Sequence, residues 1–199
     1  MTGGPPASGA RSEPEASGVH QASGARSEPE ASGVREAGRG GPPPLRPFGL
    51  VLHHDGRWTH EGVPVSNRRL REAFDRSVRF LPAEQVFVVQ LGRFRAQIEV
   101  EEAAFFVREY DTTTGEVALS DGSREALEPA TLRTSARDGA LLCAVKRALA
   151  PGGLLARFQH AAQAQLLGAL EGPDDAPRLR AGERTLALPA ALLDAPGGP

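Results

Sequence analysis

"FGLVLHHDGRWTHEGVPVS" (residues 48–66) decides how this chain is read, because short apolar runs alternate there with two turn signals, Asp55-Gly56 and Glu61-Gly62. Asp-Gly between extended runs marks a tight hairpin, since its central positions want positive φ, which Gly adopts freely and Asp tolerates. The stretch therefore predicts strands joined by turns. In a hairpin turning at Asp55-Gly56, His54 faces Arg57 and His53 faces Trp58. Adjacent His53 and His54 then point to opposite faces of a strand.

Working towards the C-terminus, Ser66 can cap a helix whose apolar residues Leu70, Ala73, Phe74, Ser77/Val78 and Leu81 follow a 3.6-residue period, with Pro82 ending it. Its charges are spaced to pair as Arg68 with Glu72, Arg71 with Asp75, Glu72 with Arg76 and Asp75 with Arg79. Next, 85–91, 93–100, 104–110 and 116–120 read as strands of an antiparallel meander. One face is polar through Arg93, Arg95, Gln97, Glu99 and Glu101, against Phe94, Ala96, Ile98 and Val100. "ALLCAVK" (140–146) and "LLARF" (154–158) read as strands, and "QHAAQAQLLGAL" (159–170) as a helix stopped by Gly172-Pro173. A last hairpin is expected around Ala181-Gly182. The fold class is α+β: antiparallel β-sheets with a few packed helices, in two similar strand-and-helix sub-domains, 48–91 and 92–190, before a frayed end at 191–199.

Towards the N-terminus the composition changes. Residues 1–47 hold no aromatic residue and one leucine, and are built from Gly, Pro, Ala, Ser, Glu and Arg, so they read as a disordered tail. "ASGARSEPEASGV" occurs there twice, at 7–19 and 22–34. That period is too short and too poor in apolar residues to stack as a solenoid. Five Arg balance five Glu in the tail, so it reads as a passive linker rather than a charged binding arm.

The formal net charge of −2 argues against a nucleic-acid binder. No apolar run is long enough for a membrane span and no signal-peptide pattern opens the chain, so a cytoplasmic location is expected. Lys146 is the single lysine among 23 basic residues, which points to a GC-rich bacterial source. Cys143 stands alone within an apolar run and reads as a buried strand residue.

"DGRWTHEGVPVSNRRLREAF" (55–74) resembles the opening of a bacterial family known as domain of unknown function 1285, which begins with a pattern like D-G-x-W-x-H-E-G-x-P-I. "FVVQLGRFRAQIEVEEAAFFV" (87–107) is similar to that family's strand pair ending in I-x-V-E-D-A-P-F, and residues 140–170 are similar to its C-terminal strand, strand and helix. The resemblance covers about 53–170. It implies a compact two-part α+β fold of similar units without established activity, and a regulatory or signalling role through ligand or protein binding. Trp58, His60, Glu61, Gly62 and Pro64 keep the family pattern, whereas His53 and His54 are not part of it. The chain departs from the family at 119–127 ("LSDGSREAL") and at 178–188 ("RLRAGERTLAL").

The polar stretch at 53–62 admits two functional readings. In the leading one the protein is a non-catalytic regulatory module with no cofactor, binding a small ligand or protein partner at the seam between the opening hairpin and the meander. Trp58, His60, Glu61, Arg93 and Arg95 are its candidate site residues. Trp58 doubles as a core anchor, and two arginines on a strand suit an anionic group. In the alternative, a metal-dependent hydrolase uses His60 and Glu61 with His53 or His54, ligand types suited to zinc or iron. No H-E-x-x-H or H-x-H spacing, nucleophile elbow or phosphate loop accompanies them.

Overall fold

The computed structural model describes residues 45–173 and 175–193. The tandem repeat and the rest of 1–44, and the end of the chain at 194–199, lie outside the described residues. A first six-stranded sheet is built from β1 (Pro47–Leu52), β2 (Trp58–His60), β3 (Val63–Pro64), β4 (Val78–Leu81), β5 (Val86–Leu91) and β6 (Phe94–Val100), in the order β3-β2-β1-β6-β5-β4. Helix α1 (Arg68–Ser77) joins β3 to β4 and packs on β5. Every neighbouring pair is antiparallel except β1 and β6 at the centre, which run parallel with Leu50, Val51 and Leu52 beside Ile98, Glu99 and Val100.

A second six-stranded sheet repeats this plan. It comprises β7 (Phe105–Asp111), β8 (Glu116–Leu119), β9 (Arg124–Ala126), β10 (Arg133–Thr134), β11 (Leu141–Val145) and β12 (Leu154–Phe158), in the order β10-β11-β12-β7-β8-β9. Its first and last strands are again the central parallel pair, with Phe105, Phe106 and Val107 beside Ala156, Arg157 and Phe158. A single 3-10 turn at Pro129–Thr131 stands where α1 stands in the first half. Residues 47–100 and 105–158 are thus two copies of one topology. Helix α2 (His160–Leu167) follows β12 and packs back on β7. A small third sheet, β13 (Leu170–Glu171), β14 (Arg178–Ala181) and β15 (Arg184–Ala187), and a short α3 (Ala190–Leu193) complete the described chain.

The core is continuous across both halves, from Leu50, Trp58 and Val89 to Val107, Cys143 and Phe158. Phe105 of β7 lies edge-on to Phe87 of β5 at 6.4 Å, joining the two sheets through apolar contact. Phe105 is fully buried, and a large side chain so buried contributes roughly 1.5–3 kcal/mol. On β6, Ala96 and Ile98 are buried while Glu99 is exposed, as the alternation there requires.

Several expectations are corrected. Strand β6 belongs to the first sheet, so the sheets divide at about residue 101 and not at 91/92. Residues 86–111 are not one meander, because β6 and β7 lie in different sheets. Asn67, not Ser66, caps α1, accepting from the Leu70 N–H at 3.1 Å. The helix stops at Ser77 rather than running to Pro82, since Val78–Leu81 pairs residue by residue with β5 and buries Val78 against Val89. That ladder outweighs a period-3.6 pattern that Val78 and Leu81 also satisfied. Helix α2 ends at Leu167, with Gly168 as its C-cap, because Leu170 and Glu171 pair with β14.

Candidate functional site

The opening stretch resolves into two different turns. Glu61 and Gly62 both have positive φ (49° and 79°) and join His60 to Val63 directly, the backbone of a two-residue hairpin. At Asp55-Gly56 only Gly56 is left-handed (83°), and the first paired residues are Leu52 and Trp58. His53 therefore does not face Trp58, and neither His53 nor His54 sits on a strand. Both histidines reach the same carboxylate, on the residue that follows β6. Glu101 Oε2 accepts from the His54 backbone N–H at 2.8 Å and lies 2.7 Å from His54 Nδ1 and 3.5 Å from His53 Nδ1. A carboxylate only accepts, so His54 Nδ1 carries the proton. These bonds, led by the His54 backbone N–H and aided by Arg137 at 3.2 Å, hold the Glu101 carboxyl down at about 2.

His60 is elsewhere. It pairs with Leu50, three residues along β1 from His53 and roughly 10 Å away, and its ring stacks on Phe48 at 4.8 Å. Glu61 donates its backbone N–H to the Gly49 carbonyl at 2.8 Å. The hydrolase set of His60 and Glu61 with His53 or His54 is not brought together, and no group of three or more metal-ligating side chains occurs among the described residues. The leading set is divided too. Trp58 is fully buried and edge-on to Phe74 at 5.3 Å, whereas Arg93 sits on the exposed β5–β6 turn and Arg95 lies on the opposite face of β6 from Ala96.

Trp58 acts through its one polar atom. Its indole N–H donates to Asp75 Oδ1 at 2.8 Å, and Arg108 of β7 donates to Asp75 Oδ2 at 2.7 Å. Asp75 thereby ties hairpin, helix and second sheet together; the anticipated pairings with Arg71 and Arg79 do not form, and Arg79 donates instead to the Arg76 and Val78 carbonyls at 2.9 and 2.6 Å. Burial pushes its carboxyl above the usual range, outweighing the bonds from Trp58 and Arg108. The Arg68–Glu72 and Glu72–Arg76 pairs of α1 do form, at 2.7 and 3.6 Å.

Beside this junction lies a cleft of about 400 Å³ between the β1–β2 turn and the start of α2. Asp55 forms one wall, Asp138 and Arg157 another, and Gln159, His160 and Gln163 the third, over the ring of Phe106. Arg157 is buried in β12 and doubly held: it donates to Glu102 Oε2 at 2.7 Å and to Asp138. Its guanidinium keeps the Asp138 carboxyl below the usual range. Asp55 is paired with Arg57 at 2.5 Å. None of the residues that the sequence singles out as site candidates lines this cleft, and Asp55 is legible there only as a turn residue. The cleft's one available signal was an arginine inside the apolar strand "LLARF", which burial would oblige to find carboxylates.

No protein-family model matches the chain, and no curated protein matches it. Two crystal structures are similar in fold. One is a domain of unknown function 1285 family protein from Silicibacter pomeroyi DSS-3, with 17% identity and a TM-score of 0.52, covering 73% of this chain and 82% of that one. The other is a protein of the same family from Shewanella baltica OS155, with 12% identity and a TM-score of 0.42, covering 61% of this chain and 91% of that one. The first shows that this chain has the fold of that family, as the motif at 55–74 implied. No helix among the described residues is long and apolar enough to cross a membrane.

Proposed function

We propose that the protein is a non-catalytic regulatory module that holds a small polar ligand in the cleft between the β1–β2 turn and α2. The observation that carries this is the cleft's lining. It is polar, it draws on both halves of the duplicated fold, and its residues include no serine, threonine, cysteine or lysine nucleophile. Asp55 and Asp138, the carboxylates that line it, are already committed to Arg57 and Arg157, which suits fixed recognition better than proton transfer. The Gln159 amide, the Gln163 NH2 group, whose oxygen already accepts from the Leu141 N–H at 3.1 Å, and the ring of His160 offer donors and acceptors to a ligand. A ligand seated there bridges the first hairpin to α2, so occupancy becomes a signal through the stiffness of that junction.

Thermal melting against a panel of small polar metabolites, each at about 1 mM, tests the reading. A compound at a hundredfold excess over its Kd stabilises the folded state by about 2.7 kcal/mol. At least one compound is expected to raise the melting temperature of the native protein but not that of a Gln159→Ala/His160→Ala variant. Shifts of equal size in both proteins would place binding elsewhere, and a panel without any shift would count against a small ligand.

A further inference from the structure

At the other end of β1, roughly 17 Å from the cleft along the strand, the first sheet opens into an apolar groove of about 330 Å³. Its floor is Leu50 and Phe74, both core residues, and its walls include Phe48, His60, Val63 and Leu70. Phe94 abuts it, edge-on to Phe48 at 5.4 Å. Of the six large apolar side chains exposed among the described residues, four surround this groove: Phe48 (45%), Val63 (67%), Leu70 (41%) and Phe94 (48%). Scattered exposed apolar residues need no explanation, but a cluster continuous with the core does.

The rim is basic. Arg46, Arg69 and Arg93 are each exposed, lie within two residues of a side chain at the groove, and belong to no ion pair among the described residues, a lack of pairing they share with the arginines 71, 79, 95, 133, 178 and 184. A second copy docked face to face on this groove would set these arginines against their own counterparts. A strand added at the β3 edge is also disfavoured, because β3 is two residues long and Pro64 has no N–H. We infer that the groove is a docking site for a partner protein's acidic amphipathic segment, which inserts apolar side chains between Phe48, Val63 and Leu70 and sets carboxylates against Arg46, Arg69 and Arg93. This surface is separate from the cleft, and neither proposal depends on the other.

A randomised 12-residue peptide display library, panned on the full chain, supplies the probe, and fluorescent copies of the enriched sequences give affinities by polarisation. The expected winners carry Leu, Phe or Trp flanked by Asp and Glu. They bind at least tenfold more weakly to Val63→Asp and to Arg69→Glu/Arg93→Glu, and lose affinity as salt rises. These positions are exposed, so unchanged melting temperatures are expected to show that both variants fold. Enrichment of basic or charge-free peptides, or binding indifferent to Val63→Asp, would overturn the inference. So would self-association or sedimentation with phosphatidylserine vesicles that Val63→Asp abolishes, since the groove would then be occupied by a second copy or by a lipid surface.

Discussion

Gly115→Ala probes how the third sheet is fastened to the duplicated body. Gly115 sits in the β7–β8 turn at φ 76°, and a Cβ there would lie 2.7 Å from the Ala181 Cβ and 3.5 Å from its Cα. The next residue, Gly182, donates its N–H to the Thr112 carbonyl at 2.8 Å, and the Tyr110 hydroxyl donates to the Arg180 carbonyl at 2.9 Å. The two turns thus meet nearly backbone to backbone, and Ala181 has no flexible end that could yield. An alanine at positive φ costs about 1–2 kcal/mol, and forcing a methyl into a packed contact costs a further ~1–3 kcal/mol. The expected loss is roughly 2–5 kcal/mol. Gly122→Ala is the control, because Gly122 also has positive φ (87°) while its Cβ would meet nothing within 4 Å, leaving the first cost alone. Urea unfolding followed by the fluorescence of Trp58, the single tryptophan, measures both. In Gly115→Ala/Ala181→Gly the two changes should couple favourably, recovering the steric share. A Gly115→Ala variant no less stable than Gly122→Ala would refute the close approach.

Other outcomes follow from single groups. The folded carboxyl of Glu101 titrates at about 2 against an ordinary value of 4.5, so its contribution to stability is complete above about pH 4.5 and is lost as pH falls through about 2. Melting temperatures recorded across that window should fall less steeply for Glu101→Gln than for the native protein. Asp75→Ala leaves the buried Trp58 indole N–H without its acceptor and should cost about 1–3 kcal/mol, with a shifted Trp58 emission in the folded state. Burial pushes the Cys143 thiol up to about 12, so an aromatic disulfide reagent at pH 8 should modify it only after denaturant is added, and then at one equivalent per chain.

Glycine made the hairpins legible in the sequence, and strict alternation made the two faces of β6 legible. Trp58 as a core anchor and Cys143 as a buried strand residue followed from composition and context alone. Strand β4 was hidden because Val78 and Leu81 satisfy a helical period as well as a strand. Central parallel pairing was hidden for another reason: a period of two says which face is buried, not which strand lies alongside. The duplication is written in topology, since "FGLVLHHDGRW" and "FFVREYDTTTGEV" share little beyond apolar spacing. The spacing puts His53 and His54 on opposite faces only of a strand that runs to its turn, whereas β1 ends at Leu52 and frees both rings to reach Glu101. The cleft draws Asp55, Phe106, Asp138 and Arg157 from segments up to about a hundred residues apart, and local spacing carries no trace of such an assembly.

Native mass spectrometry of the protein, purified gently from its source and compared with its denatured mass, tests ligand binding most directly. A mass excess matching a small polar molecule is expected in the native protein and not in the Gln159→Ala/His160→Ala variant. A bare polypeptide mass, together with melting temperatures that no compound shifts, would contradict the account.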